Sequence, residues 1–213
     1  MTSFSAVERA RLADALEAAD PAAPTLCEGW TALDLAAHVV VRERRPDSTP
    51  GLLLRPLARW TEHVRREYAR RPMAELIELI RTGPPATSPF ALPGADAAAN
   101  LTEFFVHCED VRRGRFPEDR VPAAELAPGL QDDLWRRLLR QGRLMFRRAG
   151  TGVVLATPEG REHVAVRGRP SARLVGEPGE LLLVAFGRGR AADVQREGPP
   201  EALAALAAAK LTV

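Results

Sequence analysis

The hydrophobic period of this chain changes near Gly150, and that change rules out most architectures. Upstream, apolar residues recur every three or four positions. Phe4, Val7, Leu12 and Leu16 predict a helix ending at Asp20-Pro21, and Thr31 with Asp34 has capping-box spacing for a helix from Ala32 to Arg44 that stops before Pro46. Helices are expected over Leu57 to Arg70 and, opened by Pro72, over Leu76, Ile77 and Ile80. The Pro- and Gly-rich run from Thr82 to Gly94 predicts a loop, and Asp96 is placed to cap the helix that runs to Gly114. From about Pro128, Leu130, Leu134, Leu138, Met145 and Phe146 form one more apolar face. Downstream, two β-rich runs around Pro158-Glu159-Gly160 predict a hairpin from Val153 to Val166. A strand at Ala172 to Val175, a buried helix at Glu180 to Phe186, an edge strand at Asp193 to Arg196 and an alanine-rich helix from Pro200 to Lys210 complete the pattern. The expectation is a mainly α protein, with a helical domain over 1–149 and a small α+β domain over 150–213.

Charge narrows the partners. Thirty Lys+Arg against 28 Asp+Glu leave a formal net charge of +2, too little to imply nucleic acid. The arginines at 136, 137, 140, 143, 147 and 148 read as the solvated face of a helix. Two cysteines, Cys27 and Cys108, form no CxxC pair and no disulfide framework, which predicts a reducing compartment. No apolar run approaches the roughly 18 residues of a membrane span, and the first residues lack the order of a signal peptide. A cytoplasmic monomer or homodimer acting on small molecules is the expectation.

Residues Asn100 to Gly114, NLTEFFVHCEDVRRG, place Glu103 and His107 four apart, and so on one helical face, with Asp110 continuing it. This spacing suits half a metal site or a hydrogen-bonded pair. His38 stands four residues after Asp34 on an earlier helix, and His38, Glu103 and His107 together would make a two-nitrogen, one-carboxylate set. Such a set suits Zn²⁺ best, with Ni²⁺, Fe²⁺ or Mn²⁺ as alternatives, and three ligands leave a position open. Asp34 and Asp110 read as caps or as acceptors that orient a ligand histidine. His63 and His163 read as surface residues and Cys108 as packing.

The pairing of GWTALDLAAHVVVRERRPD with NLTEFFVHCEDVRRG resembles the N-terminal domain of the mycothiol-dependent maleylpyruvate isomerase family, within the DinB-like four-helix-bundle superfamily of metal-dependent thiol transferases. It is most similar to an actinobacterial subgroup of metal-binding proteins of undefined function. Trp30, Asp34, Leu35 and His38 match the family's first motif, and Glu103, His107 and Asp110 its second. RPSARLVGEPGELLLVAFGRG is similar to the family's small second domain, with Gly187-Arg188 at its Gly-Arg pair. The resemblance implies a DinB-like bundle over roughly residues 1 to 150 and a metal held by His38, Glu103 and His107. It also implies mycothiol as a thiol co-substrate and a small, electrophilic, acidic substrate. Arg42 and Arg45 are candidates for binding the thiol or the substrate, and Arg188 is a candidate catalytic arginine reaching in from the second domain. The segment Arg42 to Asp47 departs from the isomerase and belongs with the undefined subgroup. Three readings follow: a thiol transferase or isomerase, a metal-dependent hydrolase, and a non-catalytic, metal-stabilised binding or regulatory protein.

Overall fold

The computed structural model describes residues 3–45, 47–48, 56, 58–86, 88, 95–114, 123–126 and 129–211. Their contacts divide the chain into two compact units, Met1–Arg115 and Phe116–Val213. The first is helical: α1 (Phe4–Ala18), α2 (Ala32–Arg44), α3 (Ala58–Tyr68), α4 (Met73–Thr82) and α5 (Ala95–Arg113). The second holds α6 (Leu130–Met145), β1 (Gly152–Ala156), β2 (Glu162–Val166), β3 (Ser171–Val175), α7 (Pro178–Ala185), β4 (Gln195–Glu197) and α8 (Pro200–Ala208). The chain is thus mainly helical, with a C-terminal α+β part.

In the first unit α5 packs along α1, while α2 and α4 close the other side around Leu12, Leu16, Leu35, Leu76, Ile80 and Phe104. The α2 start is fixed locally. Thr31 and Asp34 exchange side chain-to-backbone bonds, so the capping box expected from their spacing is formed. The buried face of α1 differs from the stripe of Phe4 and Val7, which are only half-buried, and instead takes in Ser5, Glu8, Arg9, Leu12 and Leu16. Charged residues can turn inward because each is matched. Arg9 donates to both oxygens of Glu43 at 2.7 Å and to the Ile80 carbonyl at 3.0 Å, and Arg11 reaches Glu8 at 2.7 Å.

The second unit forms a mixed sheet of order β2-β1-β3-β4. β1 and β2 are the expected hairpin, with Leu155 opposite His163 and Gly160 at φ +89° in its turn. β1 and β3 run parallel, Val153 beside Ala172. The division between units at Arg115 differs from the boundary read at 149/150. Helix α6 packs against α7 and β2, Gly179 N–H donates to Gln131 Oε1 at 3.0 Å, and Gly142 lies close to Ala165 and His163. A helical apolar stripe states that a face is covered and leaves its partner open, so α6 read as part of the bundle.

Among the described residues no helix is long and apolar enough to cross a membrane. The expected loop over 82–94 and the cap at Asp96 fall largely outside the described residues and side chains.

Candidate metal centre

Two helices and one loop build the site. α5 packs along α1, and nearly every side chain from Leu101 to Arg113 is buried. One helical turn apart on it, His107 Nε2 lies 3.1 Å from Glu103 Oε2, and on the next turn its Nδ1 donates to Asp110 Oδ2 at 3.0 Å. From α2, His38 brings its ring edge-on to that of His107, with centroids 5.3 Å apart. One ligand atom from each of His38, Glu103 and His107 lies within 4.8 Å of the others.

The loop before α2 closes the other side. Gly29 at φ +76° lets the segment TLCEGW turn, with Trp30 N–H donating to the Cys27 carbonyl at 2.9 Å. The turn is tied to α5, since Leu26 N–H donates to the Asp110 carbonyl at 3.1 Å and Cys27 Sγ donates to Asp110 Oδ2 at 3.1 Å. Gly114 permits this approach, because a Cβ there would stand 2.1 Å from the Pro24 carbonyl oxygen. Trp30 then covers His38, ring centroids 5.0 Å apart, and carries Arg65 on its other surroundings at 4.9 Å.

The electrostatics separate the two histidines. Burial, reinforced by the charge of His107, pushes His38 down to about 3, so it is a neutral imidazole. For His107, burial acts to lower the pKa, but hydrogen bonds to Asp110, Cys27 and Glu103 outweigh it and hold the ring well above its ordinary value. Glu103 is pushed down to about 2, as hydrogen bonding and charge from His107, with Arg42 nearby, overcome the burial that would raise it. His107 is therefore held as an imidazolium, with one N–H directed at each of two carboxylates.

A divalent cation fits this donor set. It would replace the shared proton between His107 Nε2 and Glu103, while the Nδ1–Asp110 bond fixes the ring and leaves Nε2 directed at the other donors. Cys27, His107 and Asp110 form a second group of close donors, on the opposite nitrogen of the same ring.

The other expected residues are placed as follows. Arg42 borders the set, its Nε 3.8 Å from Glu103 Oε1 and its guanidinium donating to Asn100 Oδ1. Arg45 lies at the C-cap of α2, gripped by Asp47 at 2.8 Å through both Nε and Nη2. Arg188 belongs to the second unit, where it donates to the Phe186 carbonyl at 2.6 Å. Asp34 caps α2 and pairs with Arg65. His63 is exposed and stacks on Trp60, and Cys108 is buried, which pushes its thiol up to about 12. Sequence reasoning missed Cys27 and Asn100. Cys27 precedes a Gly-Trp turn, which signals a tight loop, but nothing in the spacing points it at Asp110.

No protein-family profile matches the chain, and no curated protein matches it either. Among solved structures, the chain is similar to a mycothiol-dependent maleylpyruvate isomerase, in a crystal structure of that enzyme (TM-score 0.56) and of a histidine-to-alanine mutant of it (TM-score 0.57). Identity is 16% in both, over 92% of this chain and 96% of that one. This likeness establishes a shared fold.

Proposed function

We propose that this protein is a metal-dependent thiol enzyme, in which His38, Glu103 and His107 hold one divalent ion, zinc in the first instance, within a DinB-like bundle. The observation that carries the reading is the convergence of their ligand atoms within 4.8 Å, with His38 held neutral and His107 oriented by Asp110. The fold shared with a mycothiol-dependent isomerase supports mycothiol as the thiol. Bound there, the metal would supply the Lewis acidity that makes a low-molecular-weight thiol nucleophilic at neutral pH.

The chain's own residues do the rest. Asp110 keeps His107 in one orientation, and Trp30 packs against the ring of His38. Arg42, beside Glu103, is placed to receive a carboxylate of the thiol or of a small electrophilic substrate. Arg45 can take the same role only by releasing Asp47. The reaction is then transfer of the thiol to the electrophile, or isomerisation of a double bond through thiol addition and loss.

A hydrolase reading needs a general base, and neither nearby aspartate is uncommitted. Asp110 accepts from His107 and Cys27, and Asp34 from Thr31 and Arg65. Zinc content measured by mass spectrometry on purified protein tests the metal. Stoichiometric zinc in wild type and loss in His38→Ala and His107→Ala is the expected result, and equal, low content in all three would remove the proposal. Replacement by Co²⁺ then separates the readings: a change in its visible spectrum on adding thiol is expected of an open site and excludes a closed structural one.

A further inference from the structure

A second candidate site lies wholly within the C-terminal unit. Leu139, Arg140, Arg143 and Leu144 of α6, with Arg147 just past its end, face residues 163–167 across an open cavity of about 1040 Å³. β2 is the outer strand of its sheet, so one edge has no partner strand among the described residues. Five consecutive residues, both sides of the pleat, border the cavity, and this is what a strand edge gives and a sheet face does not. Thr157 N–H donates to the Arg161 carbonyl at 2.9 Å, and the antiparallel alternation from that pair turns the Val164 N–H and C=O away from β1.

Chemistry at this edge is unusual for the molecule. Of the four large apolar side chains exposed among the described residues, three are here: Leu139 at 42%, Val164 at 52% and Leu144 at 55%. Three nearby arginines of the same unit find carboxylates: Arg136 pairs with Asp133 at 2.8 Å, Arg161 with Asp132 at 2.7 Å and Arg173 with Glu162 and Glu197 at 2.8 Å. In the groove, Arg140, Arg143 and Arg167 pair with no carboxylate among the described residues, and Arg147 reaches only the Leu144 carbonyl at 3.0 Å.

We propose that this edge binds an acidic, extended segment of another protein, which adds to β2 as a strand and lays its carboxylates against Arg140, Arg143, Arg147 and Arg167. From Arg140 to Arg143 α6 rises roughly 5 Å, between one and two strand residues, and Arg147 follows just past the helix end, so acidic residues alternating along the added strand meet the arginines in turn. A second copy of this chain is disfavoured, because pairing β2 with itself would bring the same arginines face to face. Nucleic acid would find the cations but no aromatic platform in the lining, and would leave the strand edge unpaired.

The test uses the full chain and a fluorescein-labelled peptide of alternating Asp and Val. Three comparisons accompany it: the same peptide interrupted by proline, a Lys-Val counterpart, and a short thymidine oligonucleotide. Binding of the Asp-Val peptide is expected, weakened at least about tenfold in Arg143→Glu/Arg147→Glu, a variant of exposed positions whose fold is checked by circular dichroism. Slowed hydrogen exchange at the Val164 amide on peptide binding is expected too. The proposal is overturned if the Asp-Val peptide fails to bind or binds the variant equally. It is overturned also if the proline-interrupted or Lys-Val peptide matches it, if the oligonucleotide binds more tightly, or if wild type is a dimer that the variant dissolves.

Discussion

At the scale of the residue, Asp110 connects the most parts of the site. One of its oxygens accepts from His107 and from Cys27, and its carbonyl accepts from Leu26. Asp110→Asn keeps the shape but cannot hold His107 Nδ1 as firmly, so zinc affinity should fall about 10- to 100-fold by competition with a chelator. Cys27 and Cys108 should part in reactivity. Burial pushes the Cys108 thiol up to about 12, so at pH 8 an alkylating reagent should leave it intact in the native protein and modify it only on unfolding. Mass spectrometry of the labelled peptides reads this directly, and Cys108 labelling under native conditions would contradict the packing described for α5.

At the scale of the element, α2 and α5 are held by different means. α2 is set by its capping box, and Thr31→Ala should cost about 1 kcal/mol in denaturant melts. α5 is set by its surroundings. Phe104 is fully buried against the bundle core, and Phe104→Ala should cost about 3–5 kcal/mol by the same measurement. The contrast explains what could be read in advance. Caps, prolines and periodicity are local, so the ends of α2 and the β1–β2 hairpin could be placed from the sequence alone. Burial of Arg9 could not, because it depends on partners beyond its own turn. For Arg9 these are Glu43 and the Ile80 carbonyl, far along the chain. The partner of α6 was illegible for the same reason. At the site, spacing put Glu103, His107 and Asp110 on one face, His38 was set with them as a donor from a facing bundle helix and the motif resemblance added to that; Cys27 reaches Asp110 through a loop whose path no periodicity describes.

At the scale of the whole molecule, the charge pattern sets the response to pH. His38 is held below its ordinary pKa, so on acidification from about 6.5 the unfolded chain gains a proton that the native one refuses, and stability falls toward the folded value of about 3. Glu103, pushed down to about 2, adds to the loss below its ordinary carboxylate range. His107 acts in reverse: raised, it stabilises the metal-free fold below about 6.5 and loses that contribution as pH rises through its folded value. Metal must displace that proton. Zinc affinity should therefore climb with pH by about tenfold per unit up to the raised folded value of His107 and level off above it, one proton being released per ion, as measured by calorimetry in buffers of different ionisation enthalpy. A flat profile would mean that the His107 Nε2 proton is not the one exchanged.

Trp30 stands beside His38, while Trp60 stacks on exposed His63 and Trp135 lies under Arg161 in the other unit. With the latter two replaced by phenylalanine, the ultraviolet emission of the chain would come from a single indole in contact with a candidate ligand. Imidazole charge and coordination both alter indole fluorescence, so the molecule would act as its own optical titrant, reporting occupancy of the site in real time and without a dye.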